Sequence, residues 1–199
     1  MVFFIYNKIY MYRRFNDGII EVIAGPMFAG KSDELIKRIN ILGYANTDTL
    51  VFKPKKDTRF NDDKISSRSG YNFNAISIES SNDVWKHWNE SYKAVAIDEA
   101  QFFDMNIVNV VQELADKGIR VMISGLDKDY KREPFGPMPQ LMAIAESVLK
   151  LTAVCFVCKN AAGTTSYRKN KNDKVIQIGD KEYAALCRKC YTDKIIKNK

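Results

Sequence analysis

The sequence predicts an α/β fold, a largely parallel sheet with helices on both faces, followed by a small cysteine-anchored subdomain. Three observations carry that expectation. Short β-branched runs alternate with stretches of helical period; the residues "GPMFAGKS" at 25–32 lie between the first such run and the first such stretch; and four cysteines form two CxxC pairs near the end of the chain. Alternation of strand and helix is what a parallel sheet requires, because each crossover must carry the chain back to the same end of the sheet.

The elements follow in order. "GIIEVIAG" at 18–25 reads as a buried strand. From Ser32 the period changes, with Leu35, Ile36, Ile39 and Leu42 on one helical face and Gly43 as the expected stop. "TLVFK" at 49–53 is a second strand, and the polar stretch 54–74 reads as a loop or flexible hairpin. "DVWKHWN" is a short helix in which His87, between Trp85 and Trp88, is structural, and "YKAVAID" at 92–98 is a strand that stays apolar until Asp98. A helix with Ile107, Val110, Val111 and Leu114 on one stripe follows, then the strand "RVMISG", a helix over "QLMAIAESVLK", and a last core strand "LTAVC" at 151–155.

At 199 residues the chain can build one main core and a modest appendage. The expected division is an extension at 1–17, an α/β domain at 18–153, a metal-binding subdomain at 154–192 and a basic tail at 193–199. The apolar opening is broken by Asn7 and Lys8 and lacks a cleavage site, and no run of about 18 apolar residues offers a membrane span. A cytoplasmic protein without membrane association is expected. The net charge of +7 favours polyanions in general, a nucleoside triphosphate as much as a nucleic acid.

"GPMFAGKS" fits GxxxxGK[ST], and the strand before it and helix after it are the context that motif needs. Gly25 and Gly30 let the backbone curl so that successive N–H groups point at phosphate oxygens, Lys31 brings charge to the β- and γ-phosphates, and Ser32 offers a hydroxyl to Mg²⁺. In "AVAIDEAQFF" the strand ends in Asp98, a carboxylate for Mg²⁺, and Glu99 is placed to act as a base toward a hydroxyl or a water. Phe102, Phe103, Tyr130 and Phe135 lie on loops beyond strand ends and together could line a slot for a flat base. Cys155, Cys158, Cys187 and Cys190, with 28 residues between the pairs, suit tetrahedral Zn²⁺; two disulfides are the alternative in an oxidising compartment.

"GPMFAGKS", "KPKKDTRF", "IDEAQFF", "GLDKDYKREPFG", "AESVLKLTAVC" and the paired CxxC motifs occur in the order and spacing of the zinc-containing, cellular-type thymidine kinases. The resemblance runs from about residue 18 to 191. It implies a P-loop (RecA-like) core with a C-terminal zinc-ribbon or lasso subdomain that closes as a lid, and transfer of the ATP γ-phosphate to the 5′-hydroxyl of thymidine. Glu99 matches the catalytic base. Gly25, Pro26, Met27, Phe28, Ala29, Gly30, Lys31 and Ser32 match the ATP phosphate loop; Asp57, Thr58, Arg59 and Gln101 match nucleotide-proximal positions, and Asp98 the Mg²⁺ ligand. Met27, Phe102, Leu126, Tyr130, Phe135, Thr165, Ile176, Ile178, Gly179 and Tyr183 match the nucleoside pocket, although the family's usual glycine five residues before that tyrosine is here Ile178. The resemblance further implies structural Zn²⁺ on the four cysteines, a homotetramer and feedback inhibition by dTTP. The rival reading is a nucleic-acid-dependent P-loop ATPase whose zinc ribbon and basic charge hold a strand.

Overall fold

The computed structural model describes residues 18–56, 64–66, 69–169 and 182–197. Asp57, Thr58, Arg59, Ile176, Ile178, Gly179 and the extension 1–17 lie outside the described residues. The elements are β1 (Ile19–Ala24), α1 (Lys31–Tyr44), β2 (Thr49–Pro54), β3 (Lys64–Ser66), β4 (Asn72–Asn74), β5 (Ile76–Ile78), α2 (Val84–His87), β6 (Ala94–Ile97), α3 (Ile107–Asp116), β7 (Arg120–Gly125), α4 (Met138–Ile144), β8 (Ser147–Lys150), β9 (Thr165–Arg168), β10 (Tyr183–Leu186) and α5 (Arg188–Lys197).

Six strands form one sheet in the order β5-β2-β6-β7-β1-β8, and every pairing in it is parallel. The period of two along each strand divides the core into two layers. Ile20, Val22, Val121, Ile123, Val95 and Ile97 face α3 and α4 through Ile107, Val110, Leu114, Met138 and Leu141. Ile23, Met122, Val51 and Ala96 face Leu35, Ile36 and Ile39 of α1 and Ile65 of the β3–β4 hairpin. Helices thus cover both faces, as the alternation of strand and helix predicts. The four apolar residues of the α3 stripe are all buried, each contributing roughly 1.5–3 kcal/mol.

One charge cluster interrupts the second layer. Glu21 is 2% exposed and takes a bidentate hydrogen bond from Arg120, with Nε to Oε2 at 3.0 Å and Nη2 to Oε1 at 2.9 Å. Arg38 of α1 completes the cluster, 3.6 Å from Glu21 and 2.9 Å from Glu34. Engagement of both carboxylate oxygens is what offsets the desolvation of these charges, and the cluster ties α1 to β1 and β7.

Several expectations are corrected. The helix expected over 140–150 ends at Ile144, where Ala145 turns extended (ψ 136). Ser147–Lys150 is instead the edge strand β8, with an alternating burial pattern that suits a strand covered on one side. The strand expected at 151–155 is absent. After Leu151 donates to the Ala24 carbonyl at 2.8 Å the chain leaves the sheet, keeping only the isolated bridge Ala153–Gly163. Gly43 lies inside α1, and the left-handed residue beyond that helix is Asn46 (φ 54). β5, at the other sheet edge, was not anticipated, and α5 runs through the second CxxC into the stretch expected as a tail. His87 packs against Phe52, and Trp85 against Trp88, as structural residues would.

Candidate active site

Because β6, β7 and β1 are adjacent and parallel, the loops that follow them emerge at one end of the sheet. That end, where strand order reverses, is where open α/β sheets bind ligands. The loops are 25–30, 98–103 and 126–136, and they carry most of the residues singled out above.

The 25–30 loop has a backbone shaped for anions. Phe28 (φ 69) and Gly30 (φ 78) are both left-handed, and Gly30, at the helix N-cap, brings no side chain to cap the first turn of α1. The amide groups of a 14-residue helix N-terminus are then directed into the loop, where they favour negative charge. Lys31 is buried and its Nζ donates to the Pro26 carbonyl at 2.9 Å, holding the ammonium over the loop. The Met27 N–H donates instead to the Ser166 hydroxyl at 2.9 Å, so the loop is stitched to β9.

Asp98 and Glu99 follow β6 directly and are both buried. Asp98 Oδ2 accepts from the Ser32 hydroxyl at 3.2 Å, while Oδ1 accepts from the Glu99 N–H at 2.9 Å and from the Ser124 hydroxyl at the end of β7. Serine and carboxylate oxygens converging at the phosphate loop are the hard donors that Mg²⁺ selects. Glu99 has left-handed backbone, φ 52 and ψ 41, unusual for a residue with a Cβ. Its carboxylate accepts from the Gln101 amide, whose oxygen in turn accepts from the Leu126 N–H at 2.9 Å. Gly136 permits this packing: a Cβ there would lie 2.3 Å from the Gln101 carbonyl oxygen, at φ +52. Two of the left-handed non-glycine residues, Phe28 and Glu99, thus sit at the phosphate loop and at the carboxylate, where the surroundings hold them in place.

The aromatic residues gather beside these carboxylates. Phe102 and Phe135 meet edge to face with centroids 5.6 Å apart, next to the half-buried Leu126. Phe103 belongs to the core beneath. Tyr130 and Tyr183 are joined by Arg168 of β9, whose guanidinium lies 3.8 Å from the Tyr130 ring centroid and donates to the Tyr183 hydroxyl at 2.8 Å. Thr165 is buried on the face of β9 shared with Tyr167, which packs on the cysteine cluster, so it is Ser166 and Arg168 that face the phosphate loop and Tyr130.

The four cysteines converge with all their sulfur atoms within 4.8 Å of one another. Four sulfurs at 2.3 Å from a central ion would be roughly 3.8 Å apart, and Cys158 and Cys187 are at 3.9 Å. Burial raises the Cys155 thiol, but N–H donors of Cys158, Cys187 and Val157 outweigh it and bring it to about 6. Hydrogen bonding to Cys187 and burial push Cys190 up to about 12. Four thiol sulfurs gathered at the spacing of a tetrahedral thiolate site form a donor set that fits a metal ion. Its helix also grips the 126–136 loop: the Tyr191 hydroxyl donates to the Tyr130 carbonyl at 2.8 Å, and Arg132 stacks on Tyr191 at 3.8 Å.

Sequence reasoning missed Ser124, Ser166 and Arg168. Ser124 was signalled by a lone hydroxyl late in an apolar strand; the other two lie in "TTSYR", where only the tertiary arrangement tells which face matters. Among the described residues, no helix is long and apolar enough to cross a membrane.

Comparison with known proteins gives the family. A sequence profile described as thymidine kinase matches residues 18–191. A thymidine kinase of Mycoplasma mobile is 57% identical over 184 residues, 92% of each chain. One from Mesomycoplasma hyopneumoniae (strain 7448) is 55% identical over 186 residues, covering 92% of this chain and all of its own. Another from Metamycoplasma arthritidis is 51% identical over 183 residues, 91% of this chain and 94% of its own. By a profile that spans most of its length and by these relatives, the chain belongs to the thymidine kinase family.

Proposed function

We propose that, in the thymidine kinase reaction which family membership assigns to this chain, Glu99 takes the proton from the 5′-hydroxyl of thymidine as that oxygen attacks the γ-phosphorus of ATP. The new oxygen–phosphorus bond forms as the bond to the β-γ bridging oxygen breaks, giving dTMP and ADP. The observation that carries this reading is the setting of Glu99: a buried carboxylate, held by Gln101, directly after the Asp98 that accepts from Ser32 and three residues before the Phe102 that meets Phe135. A base for this step has to stand between donor and acceptor, where a proton leaves.

Resemblance to the family supports the remaining roles. The N–H groups of residues 28–32 and the Lys31 ammonium hold phosphate oxygens, and Arg59, in the segment with Asp57 and Thr58 that matches nucleotide-proximal positions of the family, offsets charge that develops in transfer. Ser32 and Asp98 hold Mg²⁺, which neutralises β- and γ-phosphate charge when bound. Met27, Phe102, Leu126, Tyr130, Phe135 and Tyr183, with Ile176, Ile178 and Gly179, enclose the nucleoside. The subdomain at 154–192 is the lid, and Cys155, Cys158, Cys187 and Cys190 hold a structural Zn²⁺ that anchors both of its ends; the convergence of their sulfurs supports this. Family membership also supports a cytoplasmic homotetramer inhibited by dTTP.

Family membership does not favour the nucleic-acid-dependent ATPase. Incubation with ATP and thymidine should yield dTMP, and incubation with ATP and single-stranded DNA should not stimulate phosphate release; the reverse pattern would overturn the kinase reading.

A further inference from the structure

We infer that Arg168 is a positioning residue for nucleoside binding, setting the two aromatic walls Tyr130 and Tyr183 from the lid strand β9. The inference rests on the reading of those tyrosines as pocket walls.

Arg168 is 5% exposed, an expensive place for a guanidinium unless its contacts are specific. Its plane lies 3.8 Å from the Tyr130 centroid and 5.4 Å from that of Tyr183, and Nε and Nη2 donate to the Tyr183 hydroxyl at 3.3 and 2.8 Å. One side chain thus fixes a residue of the 126–136 loop and a residue of β10. Tyr130 is held from the other side by Tyr191, whose hydroxyl donates to the Tyr130 carbonyl at 2.8 Å. β9 pairs with β10 across Arg168 and Tyr183 themselves, so the strand cannot shift without moving both. The same face of β9 carries Ser166, whose hydroxyl holds the Met27 N–H of the phosphate loop. The stack needs the planar, delocalised cation of arginine, so a lysine replaces the charge but neither the stacking nor the two-pronged donation.

The test is steady-state kinetics of the full-length, metal-loaded Arg168→Gln, Arg168→Lys and Tyr183→Phe variants. Metal content and thermal unfolding confirm that each is folded. Arg168→Gln should raise the KM for thymidine about tenfold, with the KM for ATP unchanged and kcat within about threefold. Arg168→Lys should recover only part of that loss, and Tyr183→Phe, which keeps the stack but loses the donated hydrogen bonds, should lose less than Arg168→Gln. If Arg168→Gln does not fold, Arg168→Lys and Tyr183→Phe carry the same prediction. A thymidine KM within twofold of wild type in the folded variants, or equal rises in both KM values, overturns it. Wild-type protein that makes no dTMP would instead refute the pocket reading beneath it.

Discussion

Replacing Gly136 with alanine tests how the Glu99 carboxylate is held. A Cβ at Gly136 would lie 2.3 Å from the Gln101 carbonyl oxygen and 3.1 Å from its carbon, against the 3.4 Å at which ordinary contact begins. Both atoms are backbone, so about 1 Å of main chain must move. The left-handed backbone, φ +52, costs an alanine roughly 1–2 kcal/mol, and the overlap adds about 1–3 kcal/mol. Gly136→Ala should therefore lose about 2–5 kcal/mol of stability. Because Gln101 holds Glu99, turnover should fall by up to ~10²-fold, the scale of a misplacement of about 1 Å. Gly70→Ala is the control: its φ is +88 with nothing within 4 Å, so it carries only the backbone cost and should leave turnover intact. Urea unfolding and kcat on both variants decide the matter. If Gly136→Ala is as stable and as active as Gly70→Ala, the packing argument is wrong.

Two further outcomes follow from the same geometry. Cys187→Ser should abolish metal binding and raise the KM for thymidine together with a lower melting temperature, because metal binding and folding are linked; elemental analysis with kinetics checks this, and full thymidine affinity in metal-free protein contradicts it. For Asp104, burial raises the carboxyl, but the Ser81 hydroxyl and N–H and the Asn106 N–H outweigh it and hold it below its ordinary value. Its folded value is depressed, so its contribution is present above the unfolded value and is lost as pH falls through the folded one. Between about pH 6 and about pH 3 the wild type should lose more stability to urea than Asp104→Asn, and an equal loss removes Asp104 as a contributor.

Much of this was legible from residue order because the signals are local. The change of period around "GPMFAGKS" marks β1 and α1, and the CxxC spacing marks the cysteine cluster. Edges were harder. "SVLK" continues an apolar run, so only its pairing with β1 distinguishes a strand from the end of a helix. β5 is three residues long and its partner is β2, a contact that no local pattern encodes. Within the site, Asp98 and Glu99 are visible as the polar end of an apolar strand, but the left-handed φ of Glu99 is not. Ser166 and Arg168 were missed for the same reason as β8: period two says that Thr165 and Tyr167 share a face, and only the docking of β9 between the cysteine cluster and the phosphate loop says which face meets the ligand side.

The claim on which the mechanism depends is that Glu99 receives the thymidine proton, and Glu99→Gln in single-turnover phosphoryl transfer tests it most directly. The substitution keeps the shape of the side chain and removes its basicity. The account predicts a rate lower by about 10² or more, the usual size of a general-base effect, with the thymidine Kd within about threefold of wild type. Transfer at close to the wild-type rate would contradict it.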